Sequence, residues 1–169
     1  MPGRESLTLA PLGDAEYADF AERQVVEYAR QLVNAGEWTP DEAPARSREA
    51  ERDLLEDALR AHGHVFLKGS DPSRRLIGWL WIAPAPSFLG DNRDRIRWLS
   101  QITVDEPLRG QGYGRALLEA LHTHLAAQGI RELWLRVFNW NTPARRLYAS
   151  AGYELVRQFP TDAHMRKRL

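Results

Sequence analysis

Apolar and polar positions along the chain change period several times, and each change marks an element. Leu7-Thr-Leu-Ala-Pro11 alternates and stops at proline, which predicts a short first strand. From Asp14 the period lengthens: Phe20, Ala21, Gln24, Val25, Tyr28, Leu32 and Val33 recur at three- and four-residue steps, the spacing of one helical face. Asp14 is the expected N-cap of this helix and Gly36 its expected stop. Prolines in the stretch from Glu37 to Pro44 predict a loop, followed by a second helix from about Ala45 to Ala61. Leu54, Leu55, Ala58 and Leu59 would face inward from it, while Arg46, Arg48, Glu49, Glu51, Arg52 and Asp53 read as a solvated face.

Val65–Lys68 and Arg75–Ala83 then read as two strands around the turn Gly69-Ser-Asp-Pro-Ser-Arg74. Their closeness predicts an antiparallel hairpin. Pro84-Ala-Pro86 ends the second strand, and Gly90–Asp94 is a polar loop. A third strand, Arg95 to Val104, leads through Asp105-Glu106-Pro107 into Arg109-Gly-Gln-Gly-Tyr-Gly114. A helix follows directly, with Leu117, Leu118, Leu121 and Leu125 on one face and a stop at Gln128-Gly129. Leu133–Phe138 is the next strand. Strand, helix and strand in that order predict a right-handed crossover and a local parallel pair. A last helix is initiated by Asn139-Trp-Asn-Thr-Pro143, with Asn141 or Thr142 as its cap; Ala144, Leu147, Tyr148 and Ala151 share a face, and Gly152 ends it. Tyr153–Val156 and a short strand around Met165 complete the chain, which has no internal repeat.

Composition narrows the chemistry. A chain of 169 residues with 43% hydrophobic and 27% charged positions fits one globular domain. Lys+Arg and Asp+Glu both number 23, so no net field points to nucleic acid. No apolar run is long enough for a membrane span, and the start, Met-Pro-Gly-Arg-Glu-Ser, has no hydrophobic signal region, so a cytoplasmic protein is expected. The absence of Cys excludes disulfides, thiolate metal sites and a cysteine nucleophile. His62-Gly-His64 lacks a third ligand at recognisable spacing, so a turn is expected there and no metal site.

The glycine turn has the most distinctive chemistry. Glycines between a strand and a helix leave backbone N–H groups uncovered, and the helix dipole adds positive potential at the same point. The stretch is therefore read as an anion cradle, most simply for a pyrophosphate. A dinucleotide fold does not fit: the glycines come late, antiparallel strands precede them, and Phe138-Asn139 stands where a ribose-binding acid should be. A Walker loop does not fit either, because no Gly-Lys-Ser/Thr follows.

Two segments together carry a family resemblance. Arg109-x-x-Gly112-x-Gly114 after a strand, followed by Asn141-x-x-Ala144-x-x-Leu147-Tyr148-x-x-x-Gly152-Tyr153, resembles the GCN5-related N-acetyltransferase (GNAT) superfamily. The match is good over about residues 96 to 169 and rests on element order alone before that. The resemblance implies an α+β fold: a central, mostly antiparallel twisted sheet with one parallel, splayed strand pair, flanked by helices. It implies a single GNAT-type domain over residues 1–169, with acceptor-side helices at about 14–61 and a donor-binding core at about 96–156. Acetyl-CoA would be the acyl donor, an amine the acceptor, and neither nucleic acid nor membrane a partner; a homodimer is left open.

By the same resemblance, the backbone amides of Gln111, Gly112, Gly114 and Arg115 would bind the pyrophosphate, with Arg109 and Gly110 shaping the turn. Ile102 and Val104 would offer main-chain groups to pantetheine and the thioester oxygen, or simply pack in the core. Asn141 would bond the pantetheine arm or cap its helix. Tyr148 falls where many members place a general acid; its ordinary pKa of about 10 is close to that of an aliphatic thiol. The base is unassigned. Ser100, Gln101 and Thr103 cannot supply one; Gln101 could orient water or acceptor, Asp105 and Glu106 read as solvated turn residues, and a water chain to Glu27 is an alternative. With no Cys, direct transfer in a ternary complex is expected. A catalytically weak acyl-CoA-binding or sensor module is the alternative reading.

Overall fold

Seven strands form one sheet in the order β1-β2-β3-β4-β5-β7-β6. They are β1 (Thr8–Pro11), β2 (Val65–Ser70), β3 (Leu76–Pro84), β4 (Ile96–Val104), β5 (Glu132–Phe138), β6 (Glu154–Gln158) and β7 (Asp162–Arg168). The helices are α1 (Asp14–Asn34), α2 (Ala43–Arg60), α3 (Tyr113–Ala127) and α4 (Thr142–Ser150). The structure, a computed structural model, describes residues 6–91 and 93–169, without the side chain of Leu59. It divides into two compact units: the sheet with α3 and α4 (residues up to Pro11 together with Val65–Leu169), and the helical unit Leu12–His64. No helix among the described residues is long and apolar enough to cross a membrane.

Every neighbouring strand pair is antiparallel except β4–β5, as the strand–helix–strand order predicts. That parallel pairing covers only Ile96–Leu99 against Glu132–Leu135. Beyond it, β4 continues to Val104 and β5 to Phe138 without touching register. The divergence begins at an irregularity in β4. Trp81 faces Gln101 but Ile82 faces Leu99, so Ser100 is one extra residue. A bulge of this kind bends its strand and increases the local twist, which carries the second half of β4 away from β5.

The core of this unit lies between one sheet face and α3 and α4. Leu117, Leu118, Leu121 and Leu125 of α3 are buried against Leu80, Leu133, Leu135 and Val137, so the leucine stripe does what its spacing predicts. The helix is seated by a glycine pair. Gly69 and Gly78 face each other across β2 and β3, and a Cβ on either would meet Leu117 side-chain atoms at 2.2 or 2.9 Å. At Gly78 a Cβ would also meet the Thr103 carbonyl oxygen at 2.2 Å. The pair leaves a dent that takes Leu117, and so fixes where α3 begins relative to the end of β4.

The helical unit corrects three expectations. Gly13, not Asp14, is the N-cap of α1, and its N–H donates to the Glu16 carboxylate at 3.0 Å. Leu54 is 49% exposed, whereas Glu51 is only 3% exposed. The buried line on α2 is Ala43, Ser47, Glu51, Leu55 and Ala58, a four-residue stripe whose polar members disguise it. Ser47 donates its hydroxyl to the Val25 carbonyl at 2.6 Å, and Glu51 is hydrogen-bonded to Gln24. Leu59, expected on this face, has its side chain outside the described residues. His62-Gly-His64 forms a turn with Gly63 at φ 92°. Beyond this unit, β7 runs seven residues rather than a short piece, and β6 is a fully exposed edge strand.

Burial pushes the Glu51 carboxyl up from its ordinary 4.5 to about 7. Between those values the folded chain holds a proton that the unfolded chain has released, so stability falls as pH rises through that window. The Glu51 contribution is whole below pH 4.5, declines toward pH 7, and is constant above. Glu51→Gln should remove this slope and stabilise the chain at pH 8, as read by denaturant unfolding at several pH values. Parallel stability curves for the two chains would contradict the assignment.

Candidate active site

The open end of the β4–β5 divergence and the start of α3 meet at the glycine turn. A short 3-10 turn, Glu106–Leu108, follows β4 and leads to Gly110 and Gly112. Both have positive φ, 74° and 89°, and Gly112 is the left-handed N-cap of α3 with no side-chain cap. A Cβ on either would project into open space. Among the described residues, the backbone N–H groups of Gly110, Gln111, Gly112, Tyr113 and Gly114 find no acceptor. Successive unpartnered amides around left-handed residues make a concave nest for an anion, and the α3 dipole adds to it.

The structure sharpens which amides are open. Arg115, expected among the donors, gives its N–H to the Gly112 carbonyl at 3.1 Å, and its guanidinium pairs with Glu119 at 2.9 Å. The Tyr113 amide is open instead. The Tyr113 hydroxyl accepts from Arg75 at 2.8 Å, which ties the turn to the β2–β3 hairpin. Arg109 donates through Nε to the Val104 carbonyl at 3.0 Å, and Gln111 donates its amide to the Pro107 carbonyl at 2.9 Å. These side chains tie the loop to the chain that precedes it and leave its N–H groups without an acceptor. A groove of about 530 Å³ begins at Gly112 and follows α3 past Ala116 and Ala120, walled by Leu7 and Leu9.

Ile102 and Val104 pack their side chains against the core. They face Leu80 and Gly78 in β3. Their main chain on the β5 side has lost its strand partner, so both core packing and an available backbone edge are present. Gln101 and Thr103 point to the opposite face, where the Gln101 amide donates to the Thr103 hydroxyl at 3.0 Å. No titratable side chain occurs from Ser100 to Val104.

On α4, Asn141 caps the helix: its Oδ1 accepts from the Ala144 N–H at 3.2 Å. Pro143 occupies the first turn, where its missing N–H costs nothing. Gly114 lies close to this helix, since a Cβ there would meet Leu147 at 3.1 Å and Val104 at 3.7 Å. The starts of α3 and α4 and the end of β4 therefore converge. Tyr148 is 8% exposed, and burial pushes its phenol above the ordinary value of 10. Its ring packs on Tyr153 with centroids 5.5 Å apart, and its hydroxyl forms no hydrogen bond among the described residues. Sequence spacing did not reveal the partner of Tyr153, which is His122 on α3, at 3.0 Å. Trp79 and Trp81 are buried and Trp140 is exposed. Among the described residues, no cluster of three or more His, Asp or Glu side chains is arranged to hold a metal.

Comparison with known proteins agrees with this geometry. The model of the acetyltransferase (GNAT) family matches residues 24–153. The chain is 30% identical over 164 residues to a Bacillus subtilis (strain 168) protein described as uncharacterized N-acetyltransferase YycN, spanning 97% of this chain and 99% of that one. The crystal structure of YycN, described as a putative acetyltransferase, superposes with a TM-score of 0.79 at 29% identity, over 90% of this chain and 95% of that one. The PaiA N-acetyltransferase of Thermoplasma acidophilum, solved in complex with coenzyme A, shares the fold at 18% identity and a TM-score of 0.72, over 97% and 99% of the two chains.

A methyl group at Gly112 would stand in the mouth of the nest and at a left-handed φ of 89°. Gly112→Ala should weaken coenzyme A binding by at least about tenfold, since close backbone approach is lost, while costing only about 1–2 kcal/mol of stability. Calorimetric titration with coenzyme A and denaturant unfolding separate the two effects. Unchanged affinity would show that these amides do not hold the ligand.

Proposed function

This chain belongs to the acetyltransferase (GNAT) family and is an acetyl-CoA-dependent acyltransferase, and we propose that it acetylates a primary amine of a small molecule or protein by direct transfer within a ternary complex. One observation carries the reading of the donor site: five successive open amides at the start of α3 adjoin a strand whose pairing has ended. The amides match a pyrophosphate, and the unpaired β4 edge matches an extended, amide-bearing arm that can complete the sheet. Relatives named as N-acetyltransferases support an amine as acceptor.

In this reading Gln111, Gly112, Tyr113 and Gly114 bind the pyrophosphate through backbone N–H groups, and Arg109 and Gly110 hold the loop in shape. Arg115 stays close by, paired with Glu119. Ile102 and Val104 present main-chain groups to the pantetheine arm and the thioester carbonyl; an N–H aimed at that oxygen stabilises it as it gains charge. The Val104 carbonyl is already engaged by Arg109, and the Asp105 N–H across that peptide donates to the Ile77 carbonyl at 2.9 Å, so the group left for the donor is Val104's own N–H. Asn141 uses Oδ1 as a cap and keeps its NH₂ for the arm.

Acetyl-CoA supplies an activated acyl carbon with a thiol as leaving group. The amine nitrogen forms a bond to that carbon as the carbon–sulfur bond breaks. Tyr148 gives its hydroxyl proton to the departing sulfur, and the proton that the amine releases to water returns to the phenolate, so the phenol is restored. Burial raises the Tyr148 phenol above its ordinary value, so the group reaches the reaction protonated but as a weaker acid than the match with a thiol at about 10 supposes. The absence of any titratable residue between Ser100 and Val104 favours a second reading, a module that binds acyl-CoA and transfers the acyl group poorly or not at all.

Thiol release from acetyl-CoA against a panel of amines distinguishes these readings once coenzyme A binding is established. Amine-dependent release is expected, and Tyr148→Phe should lower kcat about 10- to 100-fold with coenzyme A affinity nearly unchanged. Binding without amine-dependent release would select the sensor. Equal turnover in Tyr148→Phe would remove Tyr148 as the acid.

A further inference from the structure

Tyr153 and His122 are two polar residues in a place where apolar ones would pack. Gly152 ends α4, and the chain returns so that the Tyr153 N–H donates to the Tyr148 carbonyl at 3.0 Å. This brings the Tyr153 ring onto the Tyr148 ring, 5.5 Å between centroids at an interplanar angle of 59°. An apolar contact at a helix end needs no hydroxyl, and phenylalanine would serve it. Tyr153 is nonetheless only 5% exposed as a residue, and a hydroxyl left without a partner in such a place is costly.

That partner is His122 Nε2, at 3.0 Å. The imidazole is itself half-buried, and burial together with Lys167 pushes its pKa down to about 4, so it is neutral at physiological pH. A neutral imidazole with a bare Nε2 accepts from the Tyr153 hydroxyl. His122 stands on α3, whose first turn carries the open amides, ten residues and about 15 Å upstream. The hydrogen bond therefore joins the helix that bears the anion nest to the ring that packs on Tyr148. Two apolar residues would let the α4 end slide or rotate against α3; a directional hydrogen bond fixes one arrangement.

We propose that His122 and Tyr153 are a positioning pair that sets the Tyr148 hydroxyl in register with the donor held at the start of α3. This rests on the assignment of Tyr148 as the acid. Neither residue touches the reacting atoms; the pair acts through the packing of Tyr153 on Tyr148. Loss of the hydrogen bond leaves the nest intact and misplaces the acid.

The test is steady-state kinetics of Tyr153→Phe, His122→Leu and His122→Gln, each in the wild-type and the Tyr148→Phe background. In the wild-type background, Tyr153→Phe and His122→Leu should each lower kcat about tenfold, with KM for acetyl-CoA within about twofold of wild type. Their double variant should be no slower than either alone, because both remove one interaction. His122→Gln, whose side-chain carbonyl can accept the same hydrogen bond, should recover most of the loss. In the Tyr148→Phe background none of the three should slow the enzyme further. A loss of equal size in both backgrounds, or a change confined to KM, would overturn the positioning role while leaving Tyr148 as the acid. Wild-type turnover in Tyr148→Phe itself would remove both. Should His122→Leu fail to fold, Tyr153→Phe, which keeps every ring carbon, decides the matter.

Discussion

The site depends on one interrupted interaction, the parallel pairing of β4 with β5, which ends at Leu99 and Leu135. A sheet interior normally satisfies every backbone N–H and carbonyl through its neighbours. Here the extra residue at Ser100 bends β4, and the strand runs on to Val104 with one edge unsatisfied. Such an edge is an open position for another extended, hydrogen-bonding chain. The side chains of Ile102 and Val104 still anchor β4 in the core, so the edge is held rigidly rather than released as a loop.

The glycines position the second half of the site against that edge. Gly69 and Gly78 admit Leu117 into the sheet surface, and Gly114 lets the start of α3 lie against Leu147 and Val104. The open amides are thereby placed at the end of the unpaired strand, and Arg109 fastens the turn to the Val104 carbonyl. Behind them, Tyr148 packs in the core next to the half-buried Tyr153–His122 hydrogen bond. The region thus combines open backbone donors and an unpaired strand edge, each costly when buried without a partner, with a tyrosine hydroxyl that makes no hydrogen bond among the described residues. Their convergence at one place is what a bound ligand with matching polar groups would explain.

Most elements were legible from apolar spacing alone. The leucines of α3 face the core as their period requires, and the antiparallel hairpin and the parallel crossover follow from element order. The glycine turn was legible because its chemistry demands a residue without a side chain. What escaped the sequence has physical reasons. The buried stripe of α2 includes Ser47 and Glu51, so a reading by hydrophobicity places Glu51 in water and Leu54 inside. The loss of strand pairing leaves no mark in side-chain pattern, since Ile102 and Val104 look like ordinary strand residues; the splayed pair was implied by the family resemblance alone. The amide of Arg115 is spent on Gly112 in the first turn of α3, a detail of helix geometry that residue type does not disclose. The His122–Tyr153 bond spans 31 positions, and nothing local in either segment announces the other.

Amide hydrogen exchange, followed residue by residue with and without coenzyme A, bears most directly on the central claim that the open amides and the unpaired edge of β4 take the donor together. Slowed exchange is expected at Gln111 to Gly114 and at Ile102 to Val104 in the same titration, with the same apparent Kd. Slowing at the turn with no change along β4, or no slowing at either while coenzyme A binds, would contradict it.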